Sequence, residues 1–534
     1  MEAERDLGIV TDPGHWTYKI PGVIAWSIVI LSVVGIWAYP LVLLWLVKVF
    51  ATYLLIRFVI NVTFYVVGIF QMRRFALKPN EEREEFVGSD GLREGEVRHV
   101  VILPTYKEPM DVLRRTLSAL AGQRDARRRL FVVLAMEERE LGALAKARKL
   151  RTEFRDRFAD VLITLHPANL PGEIAGKGSN QAWAARQAKR RLVDIRGISI
   201  DTLTVSSCDA DSIFHPGYFA ELGRQFVTSS HRYRRFWQAP VSFHNNIWQV
   251  PIPTRLLSFS ASALHVGTLV NPWSWRMPYS TYSLSLRLAD EVGYWDPAVI
   301  AEDWHMYLRS FFAKRGRIKV DSILLPTSAN AMEGDGWLNS LINFYRQQLR
   351  HAWGARDVGY IAQQMGRFPD ISLWKRAALF FRVQHDHQLW STAWFLIILG
   401  SVVSTLHGQP VLTYFQSSEQ VLLAALIQGL NFLGMAATVA IWIGECFRCP
   451  VEHPKDWPLV WLQQAVAFSL LPFITLTFLT LPGLHAQTKM LFGQQLTFWR
   501  APKGLLTRER GCSSRTCWRD SAISEGLTGS TEGG

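Results

Sequence analysis

The chain has 534 residues, 49% of them hydrophobic and 19% charged, with a formal net charge of +13. It is too apolar for an ordinary soluble protein and too polar for one confined to a membrane, and its length allows two or three structural units. The basic residues are dispersed or flank apolar runs, where anionic lipid headgroups attract them, which argues against nucleic acid as a partner; the 5 cysteines form no regular disulfide framework.

After a tail over 1–20, residues 22–39 (GVIAWSIVILSVVGIWAY) carry no charge, and 41–70 stay apolar apart from Lys48 and Arg57. Each run is about long enough to cross roughly 30 Å of hydrocarbon as a helix, so two transmembrane helices are expected over 21–72. The first lacks a basic n-region and a small-residue cleavage site and is read as a retained span. The turn near Pro40 has no Lys or Arg, whereas QMRRFALK after the second run is basic, which places the following segment in the cytoplasm.

An acidic, Gly-containing linker over 80–97 leads into short apolar runs that alternate with longer amphipathic stretches. HVVILPTY (99–106), RLFVVLAM (129–136), DVLITLH (160–166) and DTLTVSS (201–207) are strands by length and β-branched content, and 110–121 and 141–158 are helical. This alternation predicts an α/β domain with a mostly parallel sheet and ligands at the C-terminal ends of its strands. The polar stretches fall at those ends: PTYKEP after the first strand, EERE after the second, CDAD after the fourth.

GEIAGKG (172–178) has too few residues between Gly172 and Gly176 for a phosphate loop, and a glycine where Ser or Thr should follow the lysine. Lys177 still reads as a flexible cationic finger for phosphate, with an ordinary loop lysine as the plain alternative. Asp209 and Asp211 stand one residue apart at a fraying strand end, where their carboxylates can converge on a cation; two solvated acids in a surface turn are the alternative. In AEDWHMYLR, Glu302 and Asp303 open an apolar helix that ends near Gly316, as acids favoured by the helix dipole also do. In FYRQQLRHAW, Gln347 and Arg350 are three apart and share a helical face.

Residues 365–388 are expected to form interfacial helices, with Leu373, Trp374, Ala377, Phe380 and Phe381 of ISLWKRAALFF on one face. HDH at 385–387 reads as an interfacial anchor. The runs 389–407, 420–444 and 457–484 contain no Asp, Glu, Lys or Arg. A cytoplasmic C-terminus requires an even number of crossings, so 457–484, interrupted by Pro472 and Pro482, is expected to be a broken or re-entrant hairpin. Cys446, Cys449 and His453 read as a membrane-proximal loop in preference to a zinc site. Residues 485–534 form a basic cytoplasmic tail that turns Ser, Thr and Gly rich.

VILPTYKEP, GKGSNQA, CDAD, AEDWHMYLR and FYRQQLRHAW, in that order over 98–354, resemble the membrane-integrated family 2 glycosyltransferases, the group containing cellulose and hyaluronan synthases. The resemblance implies a GT-A (Rossmann-like) cytoplasmic domain beside an α-helical transmembrane region. It also implies a nucleotide-diphosphate sugar donor, UDP-linked in first place, a divalent cation (Mg2+ or Mn2+) and inversion at the anomeric carbon. In the family's pattern Asp209 sits near the nucleotide and Asp211 binds the metal, with Asp209 a further candidate ligand. Thr105, Tyr106 and Glu108 would flank the base and ribose with Glu137 close by, Lys177 and Arg350 would meet phosphate or acceptor beside Gln347, and Asp303 would be the base with Glu302 adjacent.

One motif departs from the family. Its processive members carry Gln-x-x-Arg-Trp, whose tryptophan stacks on the acceptor sugar, and here His351 follows Arg350 with Trp353 two further on, so Trp353 either replaces that platform or packs. FWRAPK (498–503) resembles the gating segment of cellulose synthases only at Phe498 and Lys503 and reads as a basic tail. The chemistry agrees with the residues: a leaving diphosphate needs its developing charge neutralised and the acceptor hydroxyl needs a base. The expected function is inverting, metal-dependent sugar transfer to a growing polysaccharide at the membrane, on a saccharide acceptor. The alternatives are a non-processive enzyme acting on a lipid-linked acceptor, and a transporter regulated by a nucleotide-sugar-binding domain.

Overall fold

The computed structural model describes residues 14–76, 85–414, 418–449 and 457–496. Its centre is a sheet built on four strands: β1 (Arg98–Thr105), β2 (Leu130–Glu137), β3 (Asp160–His166) and β4 (Leu203–Ser207). Every residue of β2 is buried, which is why the run LFVVLAME is continuously apolar up to its last residue and does not alternate. In β1, successive residues point to opposite faces, so Val100 and Ile102 join one core and Val101 and Leu103 the other. Those two cores are the helix layers that sandwich the sheet.

Six shorter strands complete the structure: β5 (Ile213–Phe214), β6 (Arg235–Gln238), β7 (Val241–Ser242), β8 (Tyr282–Ser285), β9 (Lys319–Ser322) and β10 (Thr327–Ser328). The main sheet runs β3-β2-β1-β4-β8-β6-β9, and β5-β10-β7 form a second sheet. β3, β2, β1 and β4 are mutually parallel, but β8 is antiparallel to both β4 and β6. The expectation of a mostly parallel sheet therefore holds for the first half, and the second half is mixed. β8 escapes the sequence pattern because YSLS is half polar; Ser283 is buried on hydrogen bonds to Ser206 Oγ (2.6 Å) and Tyr218 Oη (2.9 Å).

Among the described residues two helices, Trp16–Ala38 and Pro40–Phe75, are long and apolar enough to cross a membrane. A third follows if Pro458–Ser469 and Leu471–Leu491, bent by 73° to one another, count as one span. The bend falls at Leu470, just before Pro472. Residues 373–381 do not form a separate surface helix. They open one helix of 42 residues, Leu373–Tyr414, that runs on through 389–407, because no Gly or Pro interrupts the chain before Gly400.

The helix Pro40–Ala76 is longer than a bilayer needs, and its second half packs on the helix Ile252–Val270 through Val62, Tyr65, Ala263 and Val266. Tyr65 also donates to Glu445 Oε1 (2.8 Å), whose other oxygen lies 2.9 Å from His244 Nε2. His453, the 498–503 segment with Phe498 and Lys503, and the remainder of the tail lie outside the described residues.

Candidate active site

Because β1, β2 and β4 are parallel, their C-terminal ends open on one edge of the sheet, and the register sets Thr105 beside Met136 and Ile102 beside Ser207. The residues after those ends form two adjoining corners. In the first, Thr105 is buried on its own backbone, with Oγ1 donating to the Leu103 carbonyl at 3.2 Å. Tyr106 has the Arg139 guanidinium 4.6 Å above its ring. The Tyr106 N–H donates to Glu108, and the Lys107 N–H, at φ 61°, donates to Glu140 Oε2 at 2.6 Å. Glu137 is buried and paired with Arg139 through a 2.9 Å bond to Nε. Burial raises its carboxyl against the opposing pull of Arg139. Arg139 and Glu140 were not singled out from the sequence, although both lie in EERE. A ring under a guanidinium and several acids is a surface on which a base can stack and a ribose hydroxyl can donate.

The second corner is built around Lys177, the first residue of the helix Lys177–Lys189. Its Nζ lies 2.9 Å from Asp209 Oδ1, 2.9 Å from Glu302 Oε1 and 3.6 Å from Asp303 Oδ1, and donates to the Ser280 carbonyl at 3.1 Å. Glycine follows it for a spatial reason: a Cβ on Gly178 would stand 3.3 Å from Glu302 Cβ and 3.3 Å from the Val299 carbonyl, where the two helix starts meet. Burial works against the Lys177 charge, but Asp209, Asp303 and Glu302 outweigh it and hold the amine well above its ordinary range. One ammonium cannot neutralise so many carboxylates. Burial, assisted by Glu302 and Asp209, pushes the Asp303 carboxyl up to about 8 in spite of Lys177.

Asp303 Oδ2 accepts from the Ser280 N–H at 2.8 Å, and Asp209 Oδ2 accepts from Ser280 Oγ at 2.6 Å. Asp211 is seated on other partners. It is buried, its Oδ2 accepting from the Asn330 N–H at 3.0 Å and its carbonyl from Asn245 Nδ2 at 3.0 Å. Arg115 holds Asn330 Oδ1 at 2.9 Å, and Thr116 holds the Ala210 carbonyl at 2.8 Å, so the helix Met110–Ala121 fixes the CDAD turn from behind.

Among the described residues no group of three or more His, Cys, Asp and Glu side chains gathers as a metal site. Asp209 and Asp211 nevertheless fit a hard cation, since magnesium and manganese take one or two carboxylates and fill their remaining positions with phosphate oxygens and water.

Gln347 and Arg350 lie in the last turns of the helix Trp337–Ala352, both half-buried. Arg350 is near enough to Tyr279 to bear on its phenol, which burial, Asp303 and Asp209 together raise. His351 is also within reach; burial, then Arg350, lowers its imidazole to about 3, so it is neutral at pH 7. Trp353 does not join them. It is 4% exposed, packed with Ile300, Leu349, Ala486 and Met490, and the Arg356 guanidinium lies 5.8 Å over its ring. The stacking role for Trp353 is corrected to packing: its ring is covered by Ala486 and Met490 of the helix Leu481–Leu491, which leaves it no open face for a sugar.

The structure thus brings Lys177, Asp209, Glu302, Asp303 and Arg350 together, and gathers Tyr106, Glu108 and Glu137 around Arg139 after the first two strands. Ser280 and Tyr279 were missed, since the coil MPYST carries no sequence signal. No protein-family model matches the chain, and no curated protein matches it. Its fold is similar to that of a mannosyltransferase from Pyrobaculum calidifontis solved with GDP-Man and Mn2+, at 14% identity over 74% of this chain and 98% of that one, with a TM-score of 0.40. It is also similar to residues 1–349 of S. aureus TarS solved with UDP-GlcNAc, at 11% identity over 76% of this chain and 93% of that one, with a TM-score of 0.33.

Proposed function

We propose that this chain is an inverting glycosyltransferase that moves a sugar from a nucleotide-diphosphate donor, UDP-linked in first place, to an acceptor hydroxyl at a membrane. The observation that carries the reading is the convergence of Asp209, Glu302 and Asp303 on Lys177 at the C-terminal edge of the sheet. It is a half-buried acid group with its own fixed cation, at the same edge of the sheet as a corner suited to a nucleotide. The domain lies on the cytoplasmic side, following Arg73 and Arg74 at the end of the second apolar helix.

Tyr106, Glu108 and Glu137 hold the base and ribose, and the diphosphate extends toward Lys177 and Arg350. A magnesium or manganese ion held by Asp209 and Asp211 would supply charge neutralisation for the departing diphosphate. The acceptor hydroxyl attacks the anomeric carbon from the face opposite the diphosphate. Its proton passes to the Asp303 carboxylate as the new C–O bond forms, and the bond from C1 to the phosphate oxygen breaks with its electron pair leaving on the nucleoside diphosphate. Glu302 keeps Lys177 in place while this occurs.

The acceptor is a growing polysaccharide in the reading taken from the sequence. The packing of Trp353 favours the second reading, a single transfer to a lipid-linked acceptor, because a processive enzyme needs a platform for the chain it holds. The test is to incubate the detergent-purified protein with a panel of radiolabelled nucleotide sugars, with and without EDTA, and size the products. Transfer from one donor, lost reversibly on chelation, is expected; no transfer across the panel would overturn the reading, and full turnover in excess EDTA would remove the metal from it.

A further inference from the structure

Ser280 has φ 59°, in the left-handed region where any residue other than glycine is strained. Strained positions persist where their surroundings over-determine them, and they concentrate at active sites. Here the surroundings are the active-site residues themselves. The Ser280 N–H donates to Asp303 Oδ2 (2.8 Å), its hydroxyl donates to Asp209 Oδ2 (2.6 Å), and its carbonyl accepts from Lys177 Nζ (3.1 Å). The turn is clamped from below by Gln238, fully buried, whose Oε1 accepts from the Tyr279 N–H (2.7 Å) and whose Nε2 donates to the carbonyls of Tyr279 (3.2 Å) and Thr281 (3.1 Å). Thr281 Oγ1 in turn lies 2.8 Å from Ser212 Oγ, on the far side of CDAD.

Glycine would adopt this φ without strain and would keep both backbone contacts. The hydroxyl is the one contact it would lose. A hydroxyl has one proton, and here that proton goes to Asp209 Oδ2, so Oδ1 is the oxygen turned to Lys177 at 2.9 Å. We infer that Ser280 is a positioning residue that ties the base Asp303 and the donor-side Asp209 into one frame, and that its hydroxyl aims Asp209 Oδ1 at Lys177 and at the cation that accompanies the incoming diphosphate. This rests on the glycosyltransferase reading.

The test compares Ser280→Gly and Ser280→Ala with the unaltered full chain in thermal melting, calorimetric binding of a nucleoside diphosphate with Mn2+, and turnover. Ser280→Gly should melt at or above the native temperature, because it relieves the strained backbone, yet bind the nucleotide and Mn2+ more weakly and turn over about 10- to 100-fold more slowly, the range for removing a group that orients a ligand. Ser280→Ala should show the same losses with no gain in melting temperature. A structural residue would not move stability and function in opposite directions. Native binding and turnover in both variants, or a loss in Ser280→Ala alone, would overturn the inference. Failure of the native protein to bind any nucleoside diphosphate would instead overturn the glycosyltransferase reading, and the inference with it.

Discussion

Lys177 Nζ lies 3.6 Å from Asp303 Oδ1 and 2.9 Å from Asp209 Oδ1, so the two aspartates are bridged by a single ammonium. A half-buried ammonium shared in this way cannot leave without exposing like charges to one another, which makes it the glue of the site and, in the proposed mechanism, the group that a diphosphate must draw away.

Replacing Lys177 tests that dual role. Lys177→Met removes the charge and keeps the length, leaving Asp209, Glu302 and Asp303 to repel. Breaking a buried pair by removing one partner costs about 3 kcal/mol or more, and the carboxylates can reduce that cost by taking up protons. Denaturant unfolding should therefore show a large loss of stability at pH 8 and a smaller one at pH 5, together with loss of nucleotide-sugar binding. Equal stability at both pH values and intact binding would show that the ammonium is incidental.

Asp303 gives a prediction in pH. Its carboxyl, pushed up to about 8 by burial and the neighbouring acids from an ordinary value of 3.8, binds its proton more tightly folded than unfolded. The sign follows directly: the stability tied to that proton is full below about pH 4 and is lost as the pH rises toward 8. Asp303→Asn should therefore match the native protein at low pH and exceed it in stability at pH 8. In the proposed mechanism catalysis runs the other way, because only the ionised carboxylate takes the acceptor proton: kcat/KM should rise with pH through about 8, and Asp303→Asn should lower turnover by about 10²- to 10⁴-fold with donor affinity kept. A variant with near-native turnover would move the base elsewhere, to Glu302 first.

The four long strands and the acids at their ends were legible because buried parallel strands spell themselves as β-branched runs, and because polar residues directly after such runs stand out. HVVILPTY and CDAD are of this kind. The second half of the site was not legible. Ser280, Tyr279 and Gln238 act through a turn and through strands of four residues or fewer, where no hydrophobic period exists to read. Asp211 stood out in the sequence, but its seat on Asn330, itself held by Arg115, depends on chain segments far apart in sequence. Trp353 stayed open between stacking and packing because helical spacing does not reveal that Ala486 and Met490, far along the chain, cover it.

His305 should impose a second pH dependence in an overlapping, more alkaline window. Its Nδ1 lies 2.6 Å from Asp357 Oδ1 and its Nε2 3.4 Å from Asp296 Oδ2, fastening the helix that begins with Glu302 to its neighbours. Burial opposes the imidazolium, but Asp357 and Asp296 prevail and raise it from 6.5 to about 9. Stability from this group is full below about pH 6.5 and lost as the pH rises through 9. His305→Gln should flatten the melting curve between those values, and the double variant with Asp303→Asn separates the two contributions. An unchanged pH slope in His305→Gln would exclude an imidazolium there.

The last prediction concerns how the domain is held to the apolar helices. At Gly267, in the helix Ile252–Val270, an added Cβ would come 2.4 Å from the Asn61 carbonyl of the helix Pro40–Ala76, and 3.4 Å from the Tyr65 nitrogen. The obstructing atom is backbone, which cannot swing aside, so the helices must separate. Overpacking of this kind costs about 1–3 kcal/mol, and here the separation would also pull Tyr65 from Glu445 (2.8 Å) and loosen the tie between the helix Ser418–Arg448 and the domain. Gly267→Ala should lower the melting temperature and speed proteolysis between the apolar helix and the domain. Gly366, in the helix Arg356–Arg367, is the control, because a Cβ there meets nothing within 4 Å. Gly366→Ala should hold or raise stability by a few tenths of a kcal/mol up to about 1 kcal/mol, as expected for removing a helical glycine. If Gly267→Ala behaved like Gly366→Ala, the close approach of the two helices would not exist in the folded protein, and the domain would be attached through the bond between His244 and Glu445 instead.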